Sequence, residues 1–188
     1  MHFTNSYQWS LLLQAFSKNR LPQVFLFSGE NGLGKKEMAL QFIKYLNCQA
    51  ENATEKPCST CLSCKLIEKE NYPDFFSVAP EKREITVDQI RDLQKVLSNR
   101  SSMGGYKAIL IDQADSLNTI AQNCLLKTLE EPAGATIFFL ISAFPNSFLP
   151  TILSRCEQIK FYRETPAEVP PETLKNVQNL LEKNFRIL

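Results

Sequence analysis

Gly29-Glu30-Asn31-Gly32-Leu33-Gly34-Lys35-Lys36 fits the phosphate-loop pattern G-x-x-x-x-G-K-[ST] at both glycines and at Lys35. Gly29, Gly32 and Gly34 let the backbone curl so that its N–H groups point at phosphate, and Lys35 supplies a point charge. Position 36, where a hydroxyl would hold Mg²⁺, carries Lys36 instead. The metal that bridges β- and γ-phosphates then loses an inner ligand, and a second cation takes its place. The loop therefore reads as nucleotide-site ancestry without a complete nucleotide enzyme. A glycine-rich turn with no ligand is the plainer alternative.

The second constellation is Cys58-x2-Cys61-x2-Cys64, with Cys48 upstream. Two-residue spacers let neighbouring thiolates converge on one ion, and four thiolates satisfy tetrahedral Zn²⁺. A closed four-thiolate shell leaves no place for water, so the role expected is structural. The intervening 49–57 stretch is polar and is expected to take its shape from the metal. A redox dithiol and an iron–sulfur cluster are the competing readings. Cys124 and Cys156 lie outside the cluster and read as small apolar residues.

Ala108-Ile109-Leu110-Ile111-Asp112 is an apolar run ending in a carboxylate, which places Asp112 where Mg²⁺ is coordinated. The next residue, where a glutamate would polarise the attacking water, is Gln113, which cannot act as a base. Ser142 ends another apolar run and reads either as a γ-phosphate sensor or as a hydroxyl capping a strand end. The single histidine, His2, makes imidazole chemistry an unpromising basis for activity.

These residues need a scaffold. Five apolar runs predict strands at Val24–Ser28, Phe75–Ala79, Ala108–Asp112, Thr136–Ser142 and Gln158–Phe161. Helical stretches are predicted at Lys35–Leu46, Val87–Leu97, Thr119–Leu129 and Pro150–Ser154. Strands alternating with helices predict an α/β fold, a parallel sheet covered on both faces. The 165–171 stretch has linker composition, and Glu172–Phe185 carries a helical apolar stripe.

A chain of 188 residues, 44% hydrophobic, can bury one good core, and a net charge of +1 gives no global field for nucleic acid. No apolar stretch approaches the roughly 20 residues of a membrane span. The first residues lack the basic head and apolar core of a signal peptide, so a reducing, cytoplasmic setting is expected.

Taken in order, the Gly29–Lys36 loop, the cysteine insertion, Ile111–Asp115, Leu125-Leu126-Lys127-Thr128-Leu129-Glu130-Glu131-Pro132 and Ser154-Arg155-Cys156 resemble the AAA+ clamp-loader family. The resemblance spans roughly Gln8 to Tyr162 and favours the non-hydrolysing kind of subunit over the motor kind. It implies an AAA+ P-loop core at 1–163, with five parallel strands, helices on both faces and a zinc module inserted at about 48–64. Residues 164–188 would form a linker and the start of a lid domain, with no collar domain.

It further implies a subunit of the DNA polymerase III holoenzyme that helps load a sliding clamp on primed DNA, alongside motor and clamp-opening subunits. Arg155 would serve in trans as an arginine finger toward a neighbour's ATP. Nucleotide binding by this chain itself is left open. Two rivals stand beside this reading. One is an active ATPase motor subunit. The other is a zinc-dependent nucleic-acid-binding module using Arg83, Arg91, Lys95, Arg100 and Lys107, among which Glu81, Glu84, Asp88 and Asp92 interleave.

Overall fold

A computed structural model describes residues 6–18, 21–97, 101–130 and 134–163. The linker and helix expected over 164–188 lie outside the described residues. In chain order the elements are α1 (Tyr7–Ser17), β1 (Val24–Ser28), α2 (Lys35–Asn47), α3 (Leu62–Glu68), β2 (Phe75–Val78), α4 (Val87–Leu97), β3 (Lys107–Ile111), α5 (Thr119–Glu130), β4 (Thr136–Ser142), α6 (Pro150–Leu153) and β5 (Glu157–Lys160).

The strands form one parallel sheet in the order β2-β3-β4-β1-β5. Every residue of β1, β3 and β4 is buried, which is why these segments read as unbroken apolar runs. Side chains alternate between two cores, as the period of 2 requires. Phe25, Phe27, Ile137 and Phe139 face Trp9, Phe42 and Ile43 on one side. Leu26, Ile111, Phe138 and Leu140 face Ile90, Leu125 and Ile152 on the other. Phe25 and Phe139 stack across adjacent strands at a centroid distance of 5.5 Å.

Local chemistry sets where the helices start. The Thr86 N–H donates to Gln89 Oε1 (2.9 Å) and the Gln89 N–H to Thr86 Oγ1 (3.4 Å), a reciprocal capping box ahead of α4. Asn118 Oδ1 accepts the Ala121 N–H at 2.9 Å at the start of α5. Two helices escape the sequence reading. Helix α1 is capped by the Ser6 hydroxyl, which accepts the Trp9 N–H, and α3 starts from the Cys61 thiol, which accepts the Cys64 N–H.

Because β3, β4 and β1 are neighbours and parallel, their carboxyl ends open on the same side. That brings Asp112, Ser142 and the 29–34 loop to one crevice, the usual ligand position of an open α/β sheet.

Candidate phosphate cleft and metal centre

The loop after β1 is pinned to β4 by the Gly29 N–H, which donates to the Ser142 carbonyl at 3.2 Å. Gly34, with φ at 74°, turns the chain directly into α2, so the start of that 13-residue helix faces the crevice. Lys35, Lys36, Asp112, Gln113, Asp115 and Ser142 all line a cleft of about 470 Å³. Of the residues singled out in the sequence, Gly32, Gly34, Lys35, Lys36, Asp112 and Ser142 share this cleft, while Gly29 lines a neighbouring pocket.

Lys35 is buried, and its Nζ donates to the Gly29 and Glu30 carbonyls, both at 2.6 Å. Burial pushes its pKa down, opposed by the charges of Asp115, Asp112 and Glu37. Lys36 turns the other way. Its Nζ lies 3.4 Å from Glu70 Oε1 and 3.8 Å from Asp112 Oδ2. An ammonium offers donors and no lone pair, so it cannot ligate a metal. The residues at this point therefore fit a lysine ion pair and do not fit Mg²⁺.

Asp112 is further occupied: its Oδ1 accepts the Gln113 N–H at 2.9 Å. Gln113 is exposed and left-handed, with φ at 48°, and it opens a 3₁₀ turn over Ala114–Ser116. Asp115 Oδ1 accepts the Ala143 N–H at 3.0 Å and so ties this turn to the end of β4. Ser142 is buried, and its hydroxyl accepts the Phe144 N–H at 2.9 Å. It closes the strand end while lining the cleft.

The four clustered cysteines are all free thiols, and their Sγ atoms lie within 4.8 Å of one another. Thiolates at about 2.3 Å from one tetrahedral ion stand about 3.8 Å apart, so the cluster fits a metal. Cys48 comes from the end of α2, Cys61 caps α3 and Cys64 lies inside it. Backbone N–H groups support the sulfurs. Cys58 N donates to Cys48 Sγ (3.4 Å), Cys61 N to Cys58 Sγ (3.3 Å) and Cys64 N to Cys61 Sγ (3.5 Å). Hydrogen bonds from Thr60 and Cys61 bring the Cys58 thiol down to about 5. Together these four residues could hold a metal ion.

Arg155 follows α6 and is exposed. Its Nη2 meets Glu130 Oε1 at 2.6 Å, and its Nη1 donates to the Thr151 carbonyl at 2.7 Å. Of the basic residues weighed as a nucleic-acid patch, Arg100 lies outside the described residues and Arg83 is exposed. Arg91 pairs with Asp88 at 3.1 Å, Lys95 pairs with Asp92 at 2.7 Å, and Lys107 is buried. Glu70 and Glu130 acquire partners that motif reading did not foresee. Glu70 carries no motif, whereas Glu130 stands inside the Leu125–Pro132 stretch.

A family profile described as "DNA polymerase III, delta subunit" matches residues 4–165. The chain belongs to the DNA polymerase III delta-subunit family. A relative named DNA polymerase III subunit delta' from Pseudomonas aeruginosa is 38% identical over 154 residues, covering 81% of this chain and 47% of that protein. A Haemophilus influenzae protein named DNA polymerase III subunit tau/gamma is 38% identical over 147 residues, covering 78% of this chain and 21% of that one. The chain thus spans about half the length, or less, of these curated relatives. A solved gamma subunit-related protein from Thermotoga maritima superposes with a TM-score of 0.62 at 22% identity, covering 89% of this chain and 48% of that one. That likeness bears on fold alone. The AAA+ fold and the delta-prime kinship expected from the motifs of this DNA polymerase III delta-family chain are borne out. No described helix is long and apolar enough to cross a membrane.

Proposed function

We propose that this chain is the core of a delta-prime-like clamp-loader subunit that hydrolyses no ATP by itself. In the DNA polymerase III holoenzyme it would help load the sliding clamp on primer–template DNA beside motor and clamp-opening subunits. The observation that carries the non-hydrolysing part is Lys36, which lines the cleft with its ammonium within ion-pair distance of Asp112 and of Glu70. Phosphoryl transfer needs a bridging metal and a group that orients the nucleophile. Lys36 opposes the first and Gln113 lacks the charge for the second. Two separate parts of the reaction are affected, which supports a pseudo-ATPase more strongly than either change alone.

In the same reading Arg155 acts in trans on a neighbouring subunit's ATP. Guanidinium stays charged and offers a planar fork of donors to phosphate oxygens. Its exposure after a four-residue helix supports a role at a subunit edge. Cys48, Cys58, Cys61 and Cys64 hold a structural Zn²⁺, a closed shell that fixes the 48–64 insertion.

ATP turnover by the purified chain tests the proposal. No turnover above background is expected, and turnover abolished by Lys35→Ala would refute it. The active motor-subunit alternative draws on the tau/gamma relative, which is as similar in identity as the delta-prime one. The same assay separates the two.

A further inference from the structure

Lys36 links two carboxylates that belong to different elements. Asp112 directly follows β3, and Glu70 lies beyond α3 in a left-handed conformation with φ at 54°. The backbone N–H of Glu70 donates to the Ile67 carbonyl at 3.0 Å, so the helix end fixes where this residue departs. Asp112, Glu37 and Asp115 are the carboxylates lining the cleft, which Glu70 does not line, and Lys35 is the cleft's other cation, already bonded to the Gly29 and Glu30 carbonyls. Lys36 is therefore the cation that faces Asp112 and Glu70 together.

A hard divalent ion beside Asp112 needs oxygen ligands at close range. Lys36 brings a positive charge and no lone pair to that point, and like charges repel there. We infer that Lys36 is a built-in counter-ion standing in the metal's place, and that it sets the cleft's specificity against nucleotides complexed with a divalent cation. The inference rests on the reading of this cleft as a degenerate phosphate site. It goes further in naming one side chain as the discriminator and its replacement as sufficient to restore metal-linked binding. Gln113 is not involved, because the base it replaces serves the attack of water rather than binding.

Calorimetric titration of the full chain with ADP and ATP, in Mg²⁺ and in EDTA, tests this. The wild-type chain should show no affinity gain from Mg²⁺. Lys36→Thr releases Asp112 and adds a hydroxyl ligand, so Mg²⁺ should then raise nucleotide affinity by about tenfold or more. Lys36→Ser gives the same test if the threonine variant melts early, with folding checked by circular dichroism. The inference is overturned if Mg²⁺ already strengthens binding to the wild-type chain, or if the folded variants gain nothing. In the wild-type chain, Mg²⁺-dependent binding without turnover would overturn this inference alone, whereas turnover would overturn the non-hydrolysing reading.

Discussion

Arg155 and Glu130 close an ion pair of 2.6 Å that joins the turn after α6 to the last residue of α5. Both side chains are partly exposed, so the pair is worth about 1 kcal/mol or less to the fold. Arg155→Ala should accordingly leave the thermal midpoint of the isolated chain almost unchanged. In a reconstituted clamp loader it should lower DNA-stimulated ATPase. Arginine fingers contribute about 10³–10⁵ in rate in GTPases, and in the proposed assembly the other ATP sites would dilute the effect. Unaltered turnover of the complex, or unfolding of the isolated variant, would show Arg155 to be idle or structural.

Protein purified without chelator should carry close to one zinc per chain by metal analysis. Cys61→Ser should lose it, since that thiol both belongs to the cluster and caps α3. Cys124→Ser should keep it, because Cys124 lies on α5, where its thiol donates to Gln94 Oε1 at 3.6 Å. A disulfide within the cluster of the purified protein would defeat the assignment.

Asp74 makes the acid side of the stability curve predictable. It is buried and accepts from Ser101 Oγ (2.7 Å), Ser102 N (2.9 Å) and Met103 N (2.8 Å). Burial pushes its pKa up, yet these hydrogen bonds and the charge of Lys107 outweigh it and hold the carboxyl below its ordinary 3.8. A depressed folded-state pKa contributes stability that is present above the unfolded value. That contribution is lost as pH falls below about 4 through the folded value. Asp74→Ala should cost about 1–3 kcal/mol near neutral pH, because three part-buried hydrogen bonds to a charged acceptor are lost. It should also flatten the decline in stability below pH 4, as read by denaturant titration across pH. An equally steep acid limb in the variant would assign the decline to other carboxylates.

Phe139 is fully buried in β4, stacked on Phe25 and edge-on to Phe27 and Phe42. Phe139→Ala should destabilise the chain by about 3–5 kcal/mol in urea unfolding. A cost under 1 kcal/mol would mean that this side of the sheet repacks freely, contrary to the described core.

Much of the architecture was legible because the central strands are buried on both faces, and such strands announce themselves as apolar runs. Thr136–Ser142 and Val24–Ser28 have the bounds expected of them. Strands β3 and β5 each begin one residue earlier than expected: β3 takes in the buried Lys107, which breaks the apolar run, and only Ile159 of the four residues of β5 is buried, so its pattern is faint. Helix α3 was missed because seven residues give fewer than two full turns of periodicity and its cap is a cysteine thiol. In the cleft, the loop and Asp112 could be read from spacing. Glu70 could not, because ion pairs between elements leave no local period. Arg155 was visible in its tripeptide, but its acidic partner lies 25 positions earlier.

Gly29 carries φ at 143°, and a Cβ there would run into the carbonyl of Phe161, whose own N–H donates to Ser28 at 2.7 Å. The first glycine of the phosphate pattern is thus required by the neighbouring chain segment that crosses it, whatever the loop binds. A phosphate-loop glycine can in this way be kept by backbone clearance alone, whether or not the loop still binds phosphate. Loss of function on Gly29→Ala would therefore record a displaced strand end, and could not be counted as a sign that nucleotide is bound.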